Sequence, residues 1–285
     1  MAELEPQRAS DYENRTTVAV KSVLVEIGQT LGSYQGKFAV IGGAVPWLLL
    51  NESDMSHIGT LDVDLSLDAE ALGDGEYAQL VEALLRQGYQ QPENRPRFQL
   101  VRTVPSRDGG DDIDIIVDFL MPRDAVIAKN TPPLVTDFAV QRADGVDLAL
   151  RFYQLVAIDG DMPGGGGNRV QIAVASIPAL LAMKGYAIRG RLKQKDAYDI
   201  YYSIRNFPGG IEALVAKTEP LLQFESARTG YLHIAEKFRH PDDFGPTSVR
   251  QFVDRPEMLE ERTADQWQRD AFGQVDAWLS APGLR

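Results

Sequence analysis

Residues 60–67 read Thr60-Leu61-Asp62-Val63-Asp64-Leu65-Ser66-Leu67, and their alternation decides the fold class. Leu61, Val63, Leu65 and Leu67 fall on one face of a strand and Asp62, Asp64 and Ser66 on the other, because strand side chains alternate with a period of two. Asp62 and Asp64 then project together, with Cβ atoms roughly 6–7 Å apart from a rise of about 3.3 Å per residue. Two carboxylates at that spacing repel, and an apolar strand holds them only with a compensating cation. The natural partner is a hard divalent ion, Mg²⁺ (or Mn²⁺), bound by one or two carboxylates together with substrate phosphates.

Upstream, Phe38-Ala39-Val40-Ile41 is a short apolar run stopped by Gly42-Gly43, which reads as a buried strand that turns sharply. Ala44 to Leu50 reads as a helix entered from that turn, with Pro46 acceptable only in its first turn. Glycines at a strand-to-helix turn let phosphates approach backbone N–H groups. Further upstream, Val20, Val23, Leu24, Ile27 and Leu31 share one face of an amphipathic helix ending near Gly32. Downstream, Tyr77, Leu80, Val81, Leu84 and Leu85 mark another helix. Phe98–Val104 and Ile113–Phe119 mark two strands, joined as a hairpin through Ser106-Arg107-Asp108-Gly109-Gly110. On the second of these strands Asp112, Asp114 and Asp118 share a face. If that strand lies beside the first, Asp114 joins Asp62 and Asp64 to hold two ions that activate a hydroxyl and orient a triphosphate. Apolar stretches around Leu148–Ile158 and Val170–Ala175 flank Gly164-Gly165-Gly166-Gly167, which no Lys-Ser/Thr follows and which reads as a hairpin turn. From Ser176, a natural N-cap, to Leu279 the pattern is helical, broken at Pro208-Gly209-Gly210 and between Pro241 and Pro246.

Composition narrows the function. In 285 residues there is no Cys, which excludes thiolate catalysis, cysteine zinc sites and redox switching. No Gly-x-Ser-x-Gly elbow occurs, which disfavours covalent serine hydrolysis. His57, His233 and His240 have no metal-ligand spacing, and His57 reads as a loop residue. Tyr198, Tyr201 and Tyr202 read as packing residues. The polar, acidic N-terminus lacks the marks of a signal peptide, and no apolar run approaches the ~18 residues of a membrane span. A soluble, cytoplasmic protein without membrane contact is expected. A net charge of −12 argues against general nucleic-acid binding, but the charge is unevenly placed. Nine carboxylates and no Lys or Arg lie between Glu52 and Glu82, whereas six basic residues face two aspartates from Lys184 to Arg205.

The order Val40-Ile41-Gly42-Gly43-Ala44, then Thr60-Leu61-Asp62-Val63-Asp64-Leu65, resembles the signature of the DNA polymerase β-type nucleotidyltransferase superfamily. Met183-Lys184-Gly185-Tyr186-Ala187-Ile188-Arg189-Gly190-Arg191, followed by Lys195-Asp196-Ala197-Tyr198-Asp199-Ile200, is similar to the AbiEii family of nucleotidyltransferase toxins. That family includes the MenT-type enzymes and the toxin halves of type IV toxin–antitoxin pairs. The resemblance covers roughly residues 38–205. It implies that Gly42, Gly43 and Thr60 line the nucleotide, that Asp62 and Asp64 bind metal, that Lys184 contacts phosphates and that Asp196 is a further essential acid. Ile113-Asp114-Ile115-Ile116 best matches the family's third carboxylate. The family often has Gly-Ser where this chain has Gly42-Gly43, which removes a hydroxyl from the phosphate site.

The residues themselves support part of this. Lys184 and Arg191 lie two helical turns apart and share a face if the helix survives Gly185 and Gly190. Nucleotidyl transfer needs positive charge near the leaving pyrophosphate, which Lys184 supplies, while Arg191 and Lys193 are candidates for a polyanionic acceptor. The competing reading makes Lys195, Asp196 and Asp199 surface ion pairs worth a few tenths of a kcal/mol. The expectation is an α/β (α+β) nucleotidyltransferase fold with a mixed, twisted sheet over residues 16–175, a helical C-terminal domain over 176–285 and an active site between them. The expected reaction moves a nucleoside monophosphate from an NTP to a hydroxyl. The family resemblance adds a tRNA 3′ end as acceptor and a cognate antitoxin as partner. The alternatives are an antibiotic-modifying nucleotidyltransferase, whose cationic acceptor suits an acidic site, and a catalytically silent binding module of the same fold.

Overall fold

In the computed structural model, Val20, Val23, Leu24, Ile27 and Leu31 are fully buried, five points on one face of α1 (Asn14–Thr30) and the turn after it. The structure describes residues 8–9, 14–50, 55–72, 75–93, 95–106, 109–125, 140–253 and 262–285. The chain divides into two compact units, a sheet unit of residues 14–45 and 59–176 and a helical unit built on residues 46–58 and 177–285.

The sheet unit contains β1 (Phe38–Ile41), β2 (Asp62–Leu67), α3 (Glu76–Arg86), β3 (Gln99–Val104), β4 (Ile113–Pro122), β5 (Gln141–Ala143), α4 (Asp147–Arg151), β6 (Tyr153–Asp161) and β7 (Gly167–Ala175). The six-residue α2 (Ala44–Leu49) starts immediately after the turn that ends β1 and carries Pro46 in its first turn. The strands form one mixed sheet in the order β3-β4-β2-β1-β7-β6, with β5 against β4. Pairs β1/β2, β3/β4 and β6/β7 are antiparallel, and β1/β7, β2/β4 and β4/β5 are parallel. The mixed α/β architecture read from the alternation is therefore present. Val63, Leu65, Ile115, Val117 and Val40 fill the face opposite the aspartates and are buried, the apolar stripe that the alternation requires. The glycine run closes the β6–β7 hairpin, with the Met162 N–H donating to the Gly166 carbonyl and the Gly165 N–H to that of Met162. The β3–β4 turn at residues 107–108 lies outside the described residues, as do Glu52, Asp54 and Asp74 of the acidic run.

The helical unit comprises α5 (Ile177–Gly190), α6 (Gln194–Arg205), α7 (Gly210–Thr218), α8 (Glu225–Lys237), α9 (Phe244–Val253) and α10 (Ala264–Ser280). The expected breaks fall between α6 and α7 and between α8 and α9. Thr263 and Gln266 form a reciprocal capping box that starts α10. Helices α5 and α8 cross so closely that a Cβ at Gly185 would overlap the Gly230 backbone. Tyr198, Tyr201 and Tyr202 are fully buried packing residues. Residues 46–58, which the sequence reading placed in the first domain, cluster with the helices instead. The Tyr202 hydroxyl donates to the carbonyls of Leu50 and Met55 and holds that segment against α6. Among the described residues no helix is long and apolar enough to cross a membrane.

Candidate functional site

The first constellation belongs to the sheet unit and follows from strand register. Asp64 pairs with Ile41, the last residue of β1, on one side and with Asp118 of β4 on the other. Residues paired across a sheet present their side chains to the same face, about 4.8 Å apart. Asp62, Asp64 and Asp118 therefore share one face, Asp64 and Asp118 as immediate neighbours. The register differs from the expected third carboxylate: Asp62 pairs with Ile116, which leaves Asp114 two residues back toward the start of β4. That is about 13 Å of strand from Asp118, at about 3.3 Å per residue. Asp114 is exposed and accepts a hydrogen bond from the Thr103 hydroxyl at 2.6 Å. Asp112 is also exposed and accepts from the Ser106 N–H at 3.0 Å.

Two local contacts fix the β2 aspartates. Thr60, 1% exposed, donates its hydroxyl to Asp62 Oδ1 at 2.8 Å. It therefore positions Asp62 and does not itself face a nucleotide. Gly42 has φ +72°, and a Cβ built on it would overlap the Asp64 carboxylate. The glycine turn and the D-x-D strand thus form a single site, because Asp64 occupies the space that any other residue at position 42 would fill. Gly42→Ala is expected to cost about 1–3 kcal/mol from its left-handed backbone alone, and to displace Asp64. The control is Gly32→Ala, where nothing lies within 4 Å of the added Cβ. Equal urea midpoints for the two variants would refute this account of the turn.

Among the described residues no three His, Asp or Glu side chains form a ready metal cage. Mg²⁺ is ordinarily held by one or two carboxylates, with waters and substrate phosphates completing its shell. Asp62 and Asp64, carboxylates on one face beside a turn that has no side chain at position 42, fit that donor set.

The second constellation belongs to the helical unit. Lys184 Nζ lies 2.6 Å from Asp196 Oδ1 and 2.8 Å from Asp199 Oδ2. Lys195 Nζ lies 2.8 Å from Asp199 Oδ1, and Arg191 Nε 2.8 Å from Asp196 Oδ2. His57 Nε2 completes the group at 3.1 Å from Asp199 Oδ1. Lys184, Lys195, Asp196, Asp199 and His57 are all buried, which excludes the surface-pair reading. The local sequence explains the assembly. Asp196 sits in the first turn of α6, where the helix dipole favours an acid, and Asp199 is one turn along, at i+4 from Lys195.

Burial alone would raise the carboxylate pKa values, but Lys184 with Arg191 holds Asp196 below the usual range and Lys184 with Lys195 holds Asp199 well below it. Burial alone would lower Lys184, and the two aspartates outweigh it and keep the ammonium protonated. Lys184 is thus engaged with carboxylates, not directed at a phosphate. Arg191, whose side chain is 54% exposed, carries the network's outward-facing charge. Lys193 sits at the N-cap position of α6 and is half-buried.

No protein-family model and no curated protein matches the chain.

His57 is the residue that sequence reasoning missed. It does lie in a loop, but its partner is 142 positions away and no local pattern signals the contact. Burial, offset in part by Asp199, lowers its pKa to about 4. The ring is then neutral at pH 7, with Nε2 carrying the proton shared with ionised Asp199. Between pH 6.5 and pH 4 the unfolded chain binds a proton at this position that the folded chain does not. His57 therefore favours the fold above pH 6.5, and its contribution falls as the medium acidifies toward pH 4. The stability difference between the wild type and His57→Asn should shrink by roughly 3 kcal/mol from pH 7 to pH 4. Urea titrations showing a pH-independent difference would reject the buried neutral histidine.

Proposed function

We propose that this chain is a divalent-cation-dependent nucleotidyltransferase that moves a nucleoside monophosphate from an NTP to a hydroxyl acceptor. The observation that carries the reading is the contact between the Gly42 backbone and the Asp64 carboxylate, with Asp62 and Asp118 on the same sheet face. It unites a glycine turn suited to phosphates with the acids suited to a metal. In the reaction the acceptor oxygen bonds to the α-phosphorus as the bond to the β-phosphate oxygen breaks, and pyrophosphate leaves. A bound Mg²⁺ supplies charge neutralisation at the phosphates and lowers the acceptor hydroxyl's pKa. Asp62 and Asp64 hold that ion, Thr60 keeps Asp62 oriented, and Asp118 receives the hydroxyl proton on its carboxylate.

The acceptor we favour is a tRNA 3′ end. Its support is the likeness of the Lys184–Asp199 stretch to the AbiEii motif, together with the half-exposed side chain of Arg191, whose guanidinium also holds Asp196. A growth-arresting toxin checked by an antitoxin is the biological role that goes with this acceptor. Incubation with Mg²⁺, α-labelled NTPs, total tRNA and an aminoglycoside panel tests it. Label on RNA supports the proposal. Label on the aminoglycosides alone would transfer the site to the antibiotic-modifying class.

A further inference from the structure

Strand β6 ends the sheet. Its nine residues pair with β7 in continuous register, and among the described residues no strand lies on its other side. At the opposite edge, β3 is partly covered by reciprocal backbone bonds between Gln90 and Val101. Two bonds at the ends of the β6–β7 ladder, Ser176 N–H to the Phe152 carbonyl and Met162 N–H to the Gly166 carbonyl, fix which groups point inward. In an antiparallel ladder a residue that exchanges bonds with one neighbour presents neither group to the other. The even-numbered residues of β6 therefore face β7, and the N–H and C=O groups of Tyr153, Leu155, Ala157 and Asp159 face the open edge. The side chains of these four share one face, with Tyr153 42% and Leu155 48% exposed and Ala157 and Asp159 exposed beside them. Edges left open are ordinarily protected by charged side chains, proline or a bulge. In β6 there is no lysine, proline or bulge, and its only charges, Asp159 and Asp161, sit at its C-terminal end and leave Tyr153 to Ile158 uncharged.

We infer that β6 pairs antiparallel with β6 of a second copy of this chain, about a two-fold axis through Leu155. In that register Leu155 exchanges two backbone bonds with Leu155 of the second copy, and Tyr153 and Ala157 exchange two each with Ala157 and Tyr153. The ladder then has about six new hydrogen bonds, two for each hydrogen-bonded pair. On the exposed face the apolar side chains meet one another, Leu155 against Leu155 and Tyr153 against Ala157, while on the other face Val156 meets Gln154. Asp159 is carried toward Arg151 of the second copy, a side chain 61% exposed whose carboxylate neighbour Asp147 is 4.0 Å away. An axis at Ala157 would instead set Leu155 against Asp159 and Tyr153 against Asp161, and an axis at Tyr153 would set Leu155 against Arg151. An axis at Gln154 would set Ala157 against Arg151 and one at Val156 would set Tyr153 against Asp159, so the charge pattern selects the Leu155 axis. A contact this short is small beside the ~1,600 Å² of a standard interface, so the dimer is a weak one.

Sedimentation velocity of the full chain from about 1 to 200 μM, where weak complexes dissociate, reads this directly. The wild type should pass from monomer to dimer across the range. Leu155→Lys places two ammonium groups face to face on the axis at an exposed position and should raise Kd at least about tenfold. Asp159→Arg and Arg151→Asp should each weaken the dimer, and the double charge reversal should recover it. A wild type monomeric at every concentration, a Leu155→Lys protein that dimerises like the wild type, or a double reversal that fails to recover would each overturn the proposal. Because the readout is mass, its failure is separate from any failure of the nucleotidyl-transfer reading.

Discussion

Asp64→Asn is expected to reduce nucleotidyl transfer by about 10³-fold or more, the loss typical when a group that stabilises transition-state charge is removed. The same change should leave the fold as stable as before, or slightly more stable. Asp64 stands beside Asp118 in the sheet and shares its strand face with Asp62, so neutralising it relieves repulsion among like charges in the free protein. Groups retained for function commonly lower stability in this way. Both quantities are measurable on one preparation, by label transfer from an α-labelled NTP and by urea denaturation. Wild-type transfer by the Asn protein would remove Asp64 from the metal site. A stability loss of several kcal/mol with transfer intact would make it a structural residue.

Lys184→Met should have the opposite signature. The ammonium bridges Asp196 and Asp199, both buried, and its removal leaves two buried carboxylates short of a counter-charge. Breaking a buried ion pair from one side costs about 3–5 kcal/mol, a fall in melting temperature on the order of 10 °C for a protein of this size. Arg191 still reaches Asp196, and Lys195 and His57 still reach Asp199, which sets the expectation toward the lower end. A variant with unchanged melting temperature but abolished transfer would return Lys184 to the phosphate-contacting role that the family resemblance implies. Together the two substitutions test whether Asp64 serves chemistry and Lys184 the fold.

What the sequence reveals and what it conceals follow from the range of the interactions involved. The alternation at residues 60–67, the Gly42-Gly43 stop after Phe38–Ile41 and the 3.6-residue rhythm of α1 are local, and each element forms where its pattern lies. The choice among Asp112, Asp114 and Asp118 was not local. All three occupy one strand face, and only the register that sets Asp118 against Asp64 distinguishes them. The motif Ile113-Asp114-Ile115-Ile116 singles out Asp114, whereas the register sets Asp118 opposite Asp64, because motif spacing along β4 carries no information about its pairing with β2. The same limit applies to Lys195 and Asp199. Their i,i+4 spacing is equally consistent with a solvated surface pair, and burial by His57 and Lys184 from distant segments determines the outcome. The net charge of −12 likewise describes no single surface: nine carboxylates lie between residues 52 and 82, while in the basic Lys184–Arg205 stretch Lys184 and Lys195 are buried against Asp196 and Asp199.

Parallel reactions with α- and γ-labelled nucleotides show whether the chain transfers the nucleoside monophosphate of an NTP. With Mg²⁺ and total cellular RNA, α-label should stay on the acceptor, γ-label should leave as pyrophosphate, and both signals should vanish with Asp64→Asn. Retention of γ-label on the acceptor would make the protein a kinase, and absence of either signal from the wild type would leave Asp62, Asp64 and Asp118 without the reaction assigned to them; either result would overturn the nucleotidyltransferase assignment.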